Sequence, residues 1–504
     1  MQDTAEDEDS IKKIFKKDWF WLALIIVTSV LFQLYRIGDA FGGFHGFNES
    51  FYASYAKSFL SKPVINLLKN STDFNNPPLF SFFLYLSYRL FGASEISSRI
   101  VPITFSAISI FFTYKIALIL YDKKTALLGA AFWAFCPVFI IVGRNVQTES
   151  TFIAFMLASL YFYIKSGKKD EWKNRIIAGV LLGLGLFAKL PSILIIGPIV
   201  LWEFIKEKNL RWIKPSFISF VVLPFAIFLP WITYHLIFNP ALIAGQQMER
   251  WGSFRVPNTF FLYHGLLTEL FYALSPLIFL IFCCGLMVFI LRRGESDYLL
   301  LLLIGVYFLF YLFFHQHSYY FLPAIPFISI VAANYVSLIK KQSVFVSVVI
   351  FSIVTTLFAS LLLMASCKYG FDGLKNIANF ISNSESSERV VVGTSEALSG
   401  SYGPILTYYS PEIELKIVKG EVAAKKNGAK YFVDFGGGDG RQHKDETIVF
   451  NESRYLPVFF NRTIYFDPIS IHCFGQGQYV VERTTVSGFG LKEIKVPNLI
   501  LTKF

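Results

Sequence analysis

Charged residues are scarce in this sequence, and their scarcity excludes an ordinary soluble domain. Only 16% of the 504 residues are Asp, Glu, Lys or Arg, whereas 54% are hydrophobic. The mean hydropathy is +0.52, and soluble domains carry roughly 25% charged residues. The net charge of +11 comes from Lys and Arg in short loops between apolar runs. That distribution is typical of membrane topology and argues against a nucleic-acid-binding face.

Cysteine is scarce too, and its placement gives little support for disulfide bonds. Of the five cysteines, Cys136, Cys283 and Cys284 fall inside apolar runs, where we expect them to be inert packing residues. Cys367 and Cys473 lie in the polar C-terminal part. They can pair only if that part is extracytoplasmic, so both the paired and the free state stay open.

Three other features are absent. No internal repeat is present, which argues against a secondary transporter, because the halves of such proteins usually resemble one another. The first apolar run, WFWLALIIVTSVLFQLYRIG, has no small-residue cleavage site, so we predict a retained helix and not a signal peptide. The segment FGGGDGR (435–441) lacks the Lys-Ser/Thr of a phosphate loop and is predicted to be a turn.

Long apolar runs make up most of residues 19–365, and about 11 of them are long enough to cross a bilayer. They lie near residues 19–37, 98–120, 125–142, 149–165, 175–190, 191–205, 215–238, 264–291, 298–314, 319–338 and 343–365. A further run, PLFSFFLYLSYRLFG (78–92), is shorter than the usual span. The fold class is therefore predicted to be a polytopic α-helical membrane protein.

The positions of the basic loops indicate whether the short run at 78–92 crosses the membrane. These loops are IKKIFKKDW, YDKK, KSGKKDEWKNR, KEKNLRWIKP, LRR and IKK. If residues 78–92 do not span, all of them lie on one side, which the positive-inside rule makes the cytoplasm. We therefore predict a multi-pass protein of the cell membrane with a cytoplasmic N-terminus, and an interfacial helix at 78–92.

This topology predicts two domains. Residues 1–366 form a transmembrane domain with outer loops at about 38–97 and 239–263. Residues 367–504 form a small extracytoplasmic α/β domain, because the strand-like segments RVVVGTS, IELKIV and AKYFVDFG alternate with helical pieces.

Ionisable and aromatic polar residues near the outer ends of the spans are few, and each is a candidate for function. They are His45, Glu49, Asp73, Arg144, Glu149, Lys189, His264, His317, Tyr319 and Tyr320. Together they provide carboxylates that can take a proton and cations that can hold an anion.

Each candidate also has a structural interpretation. Arg144 and Lys189 can extend to lipid headgroups, and the two tyrosines can belong to an aromatic belt. Glu149 can cap the following helix, and Asp73 can be a turn residue. The pair His315 and His317 supplies only two metal ligands, with no Cys beside them, so metal binding is the less favoured alternative.

The order of several segments resembles a known family. The segment PPL (residues 77–79) is followed by GASEISSRIVPITFSAISIFFTYKIALILYDKKTALLGAAFWAFCPVFIIVGRN, then by AGVLLGLGLFAKLPSILIIGP, and finally by HSYYFLPAIPFISI. This order resembles membrane glycosyltransferases of the GT-C fold, above all protein O-mannosyltransferases and lipid A aminoarabinose transferases. The resemblance covers about residues 19–340.

The resemblance implies an inverting glycosyltransferase at the outer membrane face. The donor is a sugar on a polyprenyl phosphate, and a hydroxyl or amine acceptor on a protein, lipid or glycan attacks its anomeric carbon. The family's Asp-Glu pair is matched by Asn48-Glu49, so Glu49 becomes the candidate base and Asn48 the residue that holds the acceptor. The departure from Asp leaves the role of Glu49 open.

The resemblance also assigns the remaining candidates. The donor phosphate is expected to be held by Arg144, Lys189, His317, Tyr319 and Tyr320. Supporting roles fall to His45, Asp73, Glu149 and His264. The prolines of the PPL segment follow Asn75-Asn76, where relatives often have a charged residue or a His, which weakens any phosphate or metal contact there. No cofactor is required, although a divalent metal is compatible with this chemistry.

Two alternative functions remain. A transporter or flippase of lipid-linked sugar would need polar groups near mid-membrane and internal symmetry, and the sequence has neither. A non-catalytic relative that binds lipid-linked glycan is compatible with Asn48 in place of Asp. Release of polyprenyl phosphate from a sugar-bearing donor would distinguish all three.

Overall fold

The computed structural model describes most of the helical region and part of the C-terminal region. The described residues are 18–41, 48–63, 77–167, 170–252, 270, 273–313, 318–366, 372–384, 390–394, 396–417, 421–436, 447–458, 462–466, 482–486 and 490–503. Cys367 and Cys473, whose pairing the sequence leaves open, lie outside these ranges.

Helices dominate the described residues up to 366. They are α1 (Asp18–Leu34), α2 (Asn48–Lys57), α3 (Leu79–Phe91), α4 (Glu95–Leu120), α5 (Lys123–Ala134), α6 (Pro137–Val142), α7 (Glu149–Ser166), α8 (Glu171–Ala188), α9 (Ile196–Glu207), α10 (Pro215–Phe238), α11 (Pro240–Gly252), α12 (Pro276–Arg292), α13 (Glu295–Phe313), α14 (Ile325–Ser337) and α15 (Gln342–Ser366). Two 3-10 helices, Leu190–Ile195 and Ser318–Ala324, precede α9 and α14.

Several helices are long and apolar enough to cross a bilayer, as expected of a multi-pass membrane protein. Within the described residues these are five segments: Glu95–Leu120, Pro215–Phe238, Glu295–Phe313, Tyr320–Ser337 and Gln342–Leu361. Large apolar side chains on α15, such as Phe351 and Phe358, are exposed, which suits a surface facing lipid. The expected number of about 11 spans and the side on which each terminus lies remain predictions.

Two of the predicted spans are interrupted, and prolines explain where. The run 125–142 divides into α5 and α6 at Cys136, which has an extended ψ of 125° because Pro137 disfavours helical geometry in the residue before it. The run 191–205 begins as a 3-10 helix that contains Pro191 and becomes α9 at Ile196. Both breaks lie close to the candidate site described below.

The helix that carries the site begins at a capping box. The side chain of Ser94 accepts a hydrogen bond from the backbone N–H of Ser97 (3.1 Å), and the Ser97 hydroxyl accepts one from the backbone N–H of Ser94 (3.0 Å). These bonds satisfy donors that a helix start leaves free. They fix the start of α4 and place Arg99 in its second turn.

The run at 78–92 forms the helix α3, and its interfacial position remains a prediction. It packs against α2 and α4 and buries Phe80, Leu84 and Tyr88, while Leu90 and Phe91 are exposed. One face therefore joins the protein and the other is apolar and exposed, which suits a helix lying at a membrane surface.

The described part of the C-terminal region contains α16 (Asp372–Ser384), α17 (Glu396–Tyr409), α18 (Glu421–Lys426) and seven strands. The strands are β1 (Val390–Thr394), β2 (Ile413–Ile417), β3 (Tyr431–Gly436), β4 (Thr447–Val458), β5 (Arg462–Phe466), β6 (Glu482–Val486) and β7 (Gly490–Lys503). Five form a sheet of order β2-β1-β3-β7-β4, and β5 pairs with β6. The β1 strand is parallel to β2 and β3, whereas β7 is antiparallel to β3 and β4.

The C-terminal region docks on the helices that carry the site. The Tyr409 hydroxyl accepts from the backbone N–H of Phe41 (2.9 Å) and donates to Glu95 at the start of α4 (3.0 Å). Lys57, the last residue of α2, donates to the backbone carbonyl of Tyr408 (2.7 Å). Helix α17 therefore holds α2 and α4 from outside.

Candidate active site

Glu49 forms a buried, bidentate ion pair with Arg99. The Nε and Nη2 atoms of Arg99 donate to the two carboxylate oxygens of Glu49, at 3.0 and 2.8 Å, and both side chains are at most 1% exposed. Arg99 also donates to the backbone carbonyls of Ile37, Asp39 and Ala40. The guanidinium thus joins α2, α4 and the segment after α1 into one unit.

The same carboxylate also holds the loop between α6 and α7. Its Oε1 atom accepts from the backbone N–H of Val146 (3.2 Å). The loop starts at Gly143, where an added Cβ would lie 2.4 Å from the Phe139 carbonyl oxygen and 2.8 Å from the Ser106 hydroxyl, so only glycine fits. Tight packing on one side and Glu49 on the other therefore fix the path of residues 143–148.

A second ion pair stands at the end of this loop. Lys189, between α8 and the 3-10 helix at Leu190, pairs with Glu149, the first residue of α7, and both side chains are nearly buried. The Lys189 ammonium also lies 5.4 Å from the centre of the Tyr320 ring, a distance typical of a cation–π contact. Three of the predicted site residues therefore meet at one place.

The two ion pairs are close neighbours. Glu49 accepts a hydrogen bond from Val146. Glu149 follows Val146 by three residues, so the Cα atoms of Val146 and Glu149 are at most about 11 Å apart. Buried charges are costly unless they are paired. The segment from Val146 to Glu149 contacts both pairs, which gives the apolar bundle a polar region there.

Arg144 contacts the backbone just after α1 ends. Its guanidinium is buried and donates to the backbone carbonyls of Tyr35 and Arg36, just after α1 ends. The Arg36 carbonyl also accepts from the backbone N–H of Asp39 (3.1 Å), so Arg144 helps to fix the turn that follows α1. The phosphate contact predicted for Arg144 remains a prediction.

Several predicted site residues fall outside the description. His45, Asp73, His264 and His317 lie outside the described residues. Asn48 begins α2 and Tyr319 belongs to the 3-10 helix at Ser318, but only their backbones are described. Their roles remain predictions. Among the described residues no group of three or more His, Cys, Asp and Glu side chains could hold a metal ion.

Sequence reasoning missed Arg99, Asn145 and Gln147. Arg99 sits in SSRIVP, at the start of a predicted span, and a lone arginine there has the same signal as Arg144. Asn145 and Gln147 are uncharged residues in GRNVQTES, so no charge count finds them. Both are 1% exposed, and their burial is visible only once α6 and α7 are packed.

Sequence comparison finds similarity over part of the chain. The family described as dolichyl-phosphate-mannose-protein mannosyltransferase matches residues 75–234. An uncharacterized protein of Aquifex aeolicus (strain VF5) is 29% identical over 182 residues, which cover 35% of this chain and 34% of that protein. The matched region thus spans about a third of the length of that relative. The family match includes Arg99, the 143–148 loop, Glu149 and Lys189.

Structural comparison extends the similarity to most of the chain. ArnT from Cupriavidus metallidurans bound to undecaprenyl phosphate superposes with a TM-score of 0.66 at 14% identity, covering 82% of this chain and 93% of that one. The apo oligosaccharyltransferase of Archaeoglobus fulgidus gives 0.56 at 14% identity, covering 83% and 70%. The resemblance of this chain to membrane glycosyltransferases of the GT-C fold is therefore confirmed.

Proposed function

We propose that the protein transfers a sugar from a polyprenyl-phosphate donor to a hydroxyl or amine acceptor at the outer membrane face, with inversion at the anomeric carbon. The observation that carries this proposal is the nearly buried Lys189 ammonium, held by Glu149 and lying over Tyr320. Such a cation, at the end of a helix in an apolar bundle, suits a lipid-linked anion. The fold is also that of ArnT, which was solved with undecaprenyl phosphate.

The reaction requires positive charge near the phosphate of the donor. The acceptor oxygen or nitrogen forms a bond to the anomeric carbon while the bond from that carbon to the phosphate oxygen breaks. The leaving oxygen takes the electron pair, so negative charge grows on the phosphate. Lys189 would stabilise that charge, and Glu149 would keep its ammonium in place before the donor arrives.

The acceptor must also lose a proton, and the geometry bears on the role predicted for Glu49. Its carboxylate already accepts hydrogen bonds from Arg99 and Val146. To act as a base, the Glu49 carboxylate would have to take a proton from the acceptor while it still accepts these hydrogen bonds. We therefore propose that Glu49 is first a positioning residue, which fixes the 143–148 loop and the start of α2 at Asn48, and that the proton of the acceptor passes to the departing polyprenyl phosphate, whose new oxygen anion can accept it.

Transfer is tested with purified protein and a polyprenyl-phosphate sugar, by measuring release of polyprenyl phosphate. We expect release to fall by at least about a hundredfold in Lys189→Met, since one group that stabilises developing charge contributes about that much, and to be partly kept in Lys189→Arg. The matched control is Lys123→Met, because Lys123 forms an exposed ion pair with Asp18.

Other outcomes would contradict the proposal. Unchanged release in Lys189→Met would remove Lys189 from the site. Movement of the donor across the bilayer without release would indicate a flippase, and donor binding without release would indicate a non-catalytic glycan-binding protein.

A further inference from the structure

Two side-chain amides in the 143–148 loop are buried without hydrogen-bond partners. Asn145 and Gln147 are each 1% exposed, and within the described part of the chain neither the oxygen nor the nitrogen of either amide has a partner. The hydroxyl of Thr151, in the first turn of α7, is likewise buried and without a partner there. Buried polar groups are nearly always paired, so these three need an explanation.

The backbone of the 143–148 loop is fixed by hydrogen bonds, so the unpaired amides do not result from a loosely placed loop. Its backbone is held by Glu49 at Val146, and its own turn is closed by the N–H of Gln147 bonded to the carbonyl of Asn145 (2.7 Å). An unpaired buried amide costs free energy in the absence of a ligand. A fixed backbone that presents such amides is a preorganised binding site.

The unpaired atoms indicate what kind of ligand fits. Each amide offers two N–H donors and one acceptor oxygen, and the Thr151 hydroxyl offers both. A phosphate oxygen accepts only, so it would leave the amide oxygens of Asn145 and Gln147 unpaired. A sugar hydroxyl both donates and accepts, and several hydroxyls on one ring can satisfy neighbouring amides together.

The location agrees with a sugar. Gln147 is two residues before Glu149, which limits their Cα atoms to about 7 Å apart, and Glu149 holds Lys189, the proposed phosphate cation. In a polyprenyl-phosphate sugar the ring is attached directly to the phosphate. A sugar whose phosphate lies at Lys189 would therefore extend within reach of this loop.

We propose that Asn145 and Gln147, with Thr151, bind the hydroxyl groups of the donor sugar and so select which sugar is transferred. This inference rests on the proposed function, because it uses the same donor. It adds the part of the donor that these residues recognise. Glu49 acts on this subsite through Val146.

The test separates the sugar from the lipid phosphate. Binding of undecaprenyl phosphate and of undecaprenyl-phosphoryl-mannose is measured for the unmodified protein and for the variants Asn145→Leu and Gln147→Met. Each new side chain has a volume similar to that of the amide it replaces. We expect affinity for the mannose-bearing lipid to fall about tenfold in each variant, as loss of one or two hydrogen bonds implies. Affinity for undecaprenyl phosphate should not change.

Thermal stability without ligand gives a second readout. Because these amides have no partner among the described residues, replacing them with apolar side chains should leave the melting temperature unchanged or raise it. The matched control is Asn334→Leu, since Asn334 is buried and its amide oxygen accepts from Arg292 (3.1 Å). That variant should lose stability while keeping its affinity for both lipids.

Each remaining outcome has a definite meaning. Equal loss of affinity for both lipids would overturn the sugar subsite. So would unchanged affinity for both lipids with every sugar tested, in which case the amides bind internal water only. If the unmodified protein binds neither lipid, the proposed function fails. That failure is distinct from failure of the subsite, in which the unmodified protein binds and the variants behave like it.

Discussion

The two ends of α4 carry buried polar clusters that are completed in different ways. Near its start, Arg99 pairs with Glu49, and the adjoining loop presents Asn145 and Gln147 without partners among the described residues. Just past its last residue, about 33 Å away along the helix, Tyr121 donates to Asp297 (2.7 Å).

The cluster around Asp297 is satisfied on every side that the structure describes. Asp297 accepts from Arg292 Nε (2.7 Å) and from the backbone N–H of Gly294 (3.1 Å). Arg292 in turn donates to Asn334. A fully bonded network of this kind stabilises one packing of the helices. The difference teaches that burial of charge alone does not mark a site; unpaired amides beside paired charges do.

Breaking the Glu49–Arg99 pair should have the largest effect on stability. Arg99→Met leaves the Glu49 carboxylate buried without its partner, which costs about 3–5 kcal/mol. We expect a large fall in melting temperature and in the yield of folded protein, measured in detergent by thermal denaturation.

The double variant Arg99→Met/Glu49→Leu is the matched control for this prediction. It removes both charges, so most of the stability should return, while sugar transfer should not, because Val146 has lost its acceptor. Recovery of transfer along with stability would show that Glu49 is neither a base nor a positioning residue.

At the other end of α4, Asp297→Asn should separate stability from function. The amide keeps the shape of the side chain but loses the charge that pairs with Arg292, and we expect a loss of about 1–3 kcal/mol. Transfer per folded molecule and donor affinity should be unchanged. A selective loss of donor affinity would mean that the two ends of α4 are coupled, and the comparison above would fail.

Much of this architecture could be predicted from the sequence, because long apolar runs and basic loops carry a strong signal. The run 98–120 corresponds to α4 and 215–238 to α10. Breaks at prolines were harder to predict, since Cys136–Pro137 and Leu190–Pro191 lie within apolar runs whose composition continues unchanged. At Cys136–Pro137 the break comes from the local effect of proline on the residue before it, which the composition of the run does not reveal.

The candidate site was predictable only in part. Lys189 and Glu149 were found because charges near span ends are rare, and the structure brings them together. Arg144 carries the same signal and donates to a backbone carbonyl just after α1, a contact that the sequence does not predict. The amides of Asn145 and Gln147 are ordinary residues until tertiary packing buries them.

Contacts of the C-terminal region with the site helices should have a smaller effect. Tyr409→Phe removes a hydroxyl that bridges Phe41 and Glu95, and we expect a loss of about 1 kcal/mol. Faster cleavage by limited proteolysis after residue 366 would report it. The control is Tyr161→Phe, because the Tyr161 hydroxyl makes no hydrogen bond to other described residues. Equal cleavage of the two variants would contradict a bridging role.

The smallest effect is expected from the titration of Lys57 at the same contact. Burial lowers the pKa of Lys57 below its ordinary value of 10.5, although Glu412 and Glu95 partly oppose the shift. The folded protein therefore holds this proton less tightly than the unfolded chain does, so the unfolded chain binds more protons as pH approaches 10.5. Raising pH through that window should then favour the folded state. In Lys57→Met this contribution is absent, so the stability of the unmodified protein relative to the variant should increase with pH. A difference between the two proteins that is constant across the window would show that Lys57 is as well solvated in the folded protein as in the unfolded chain.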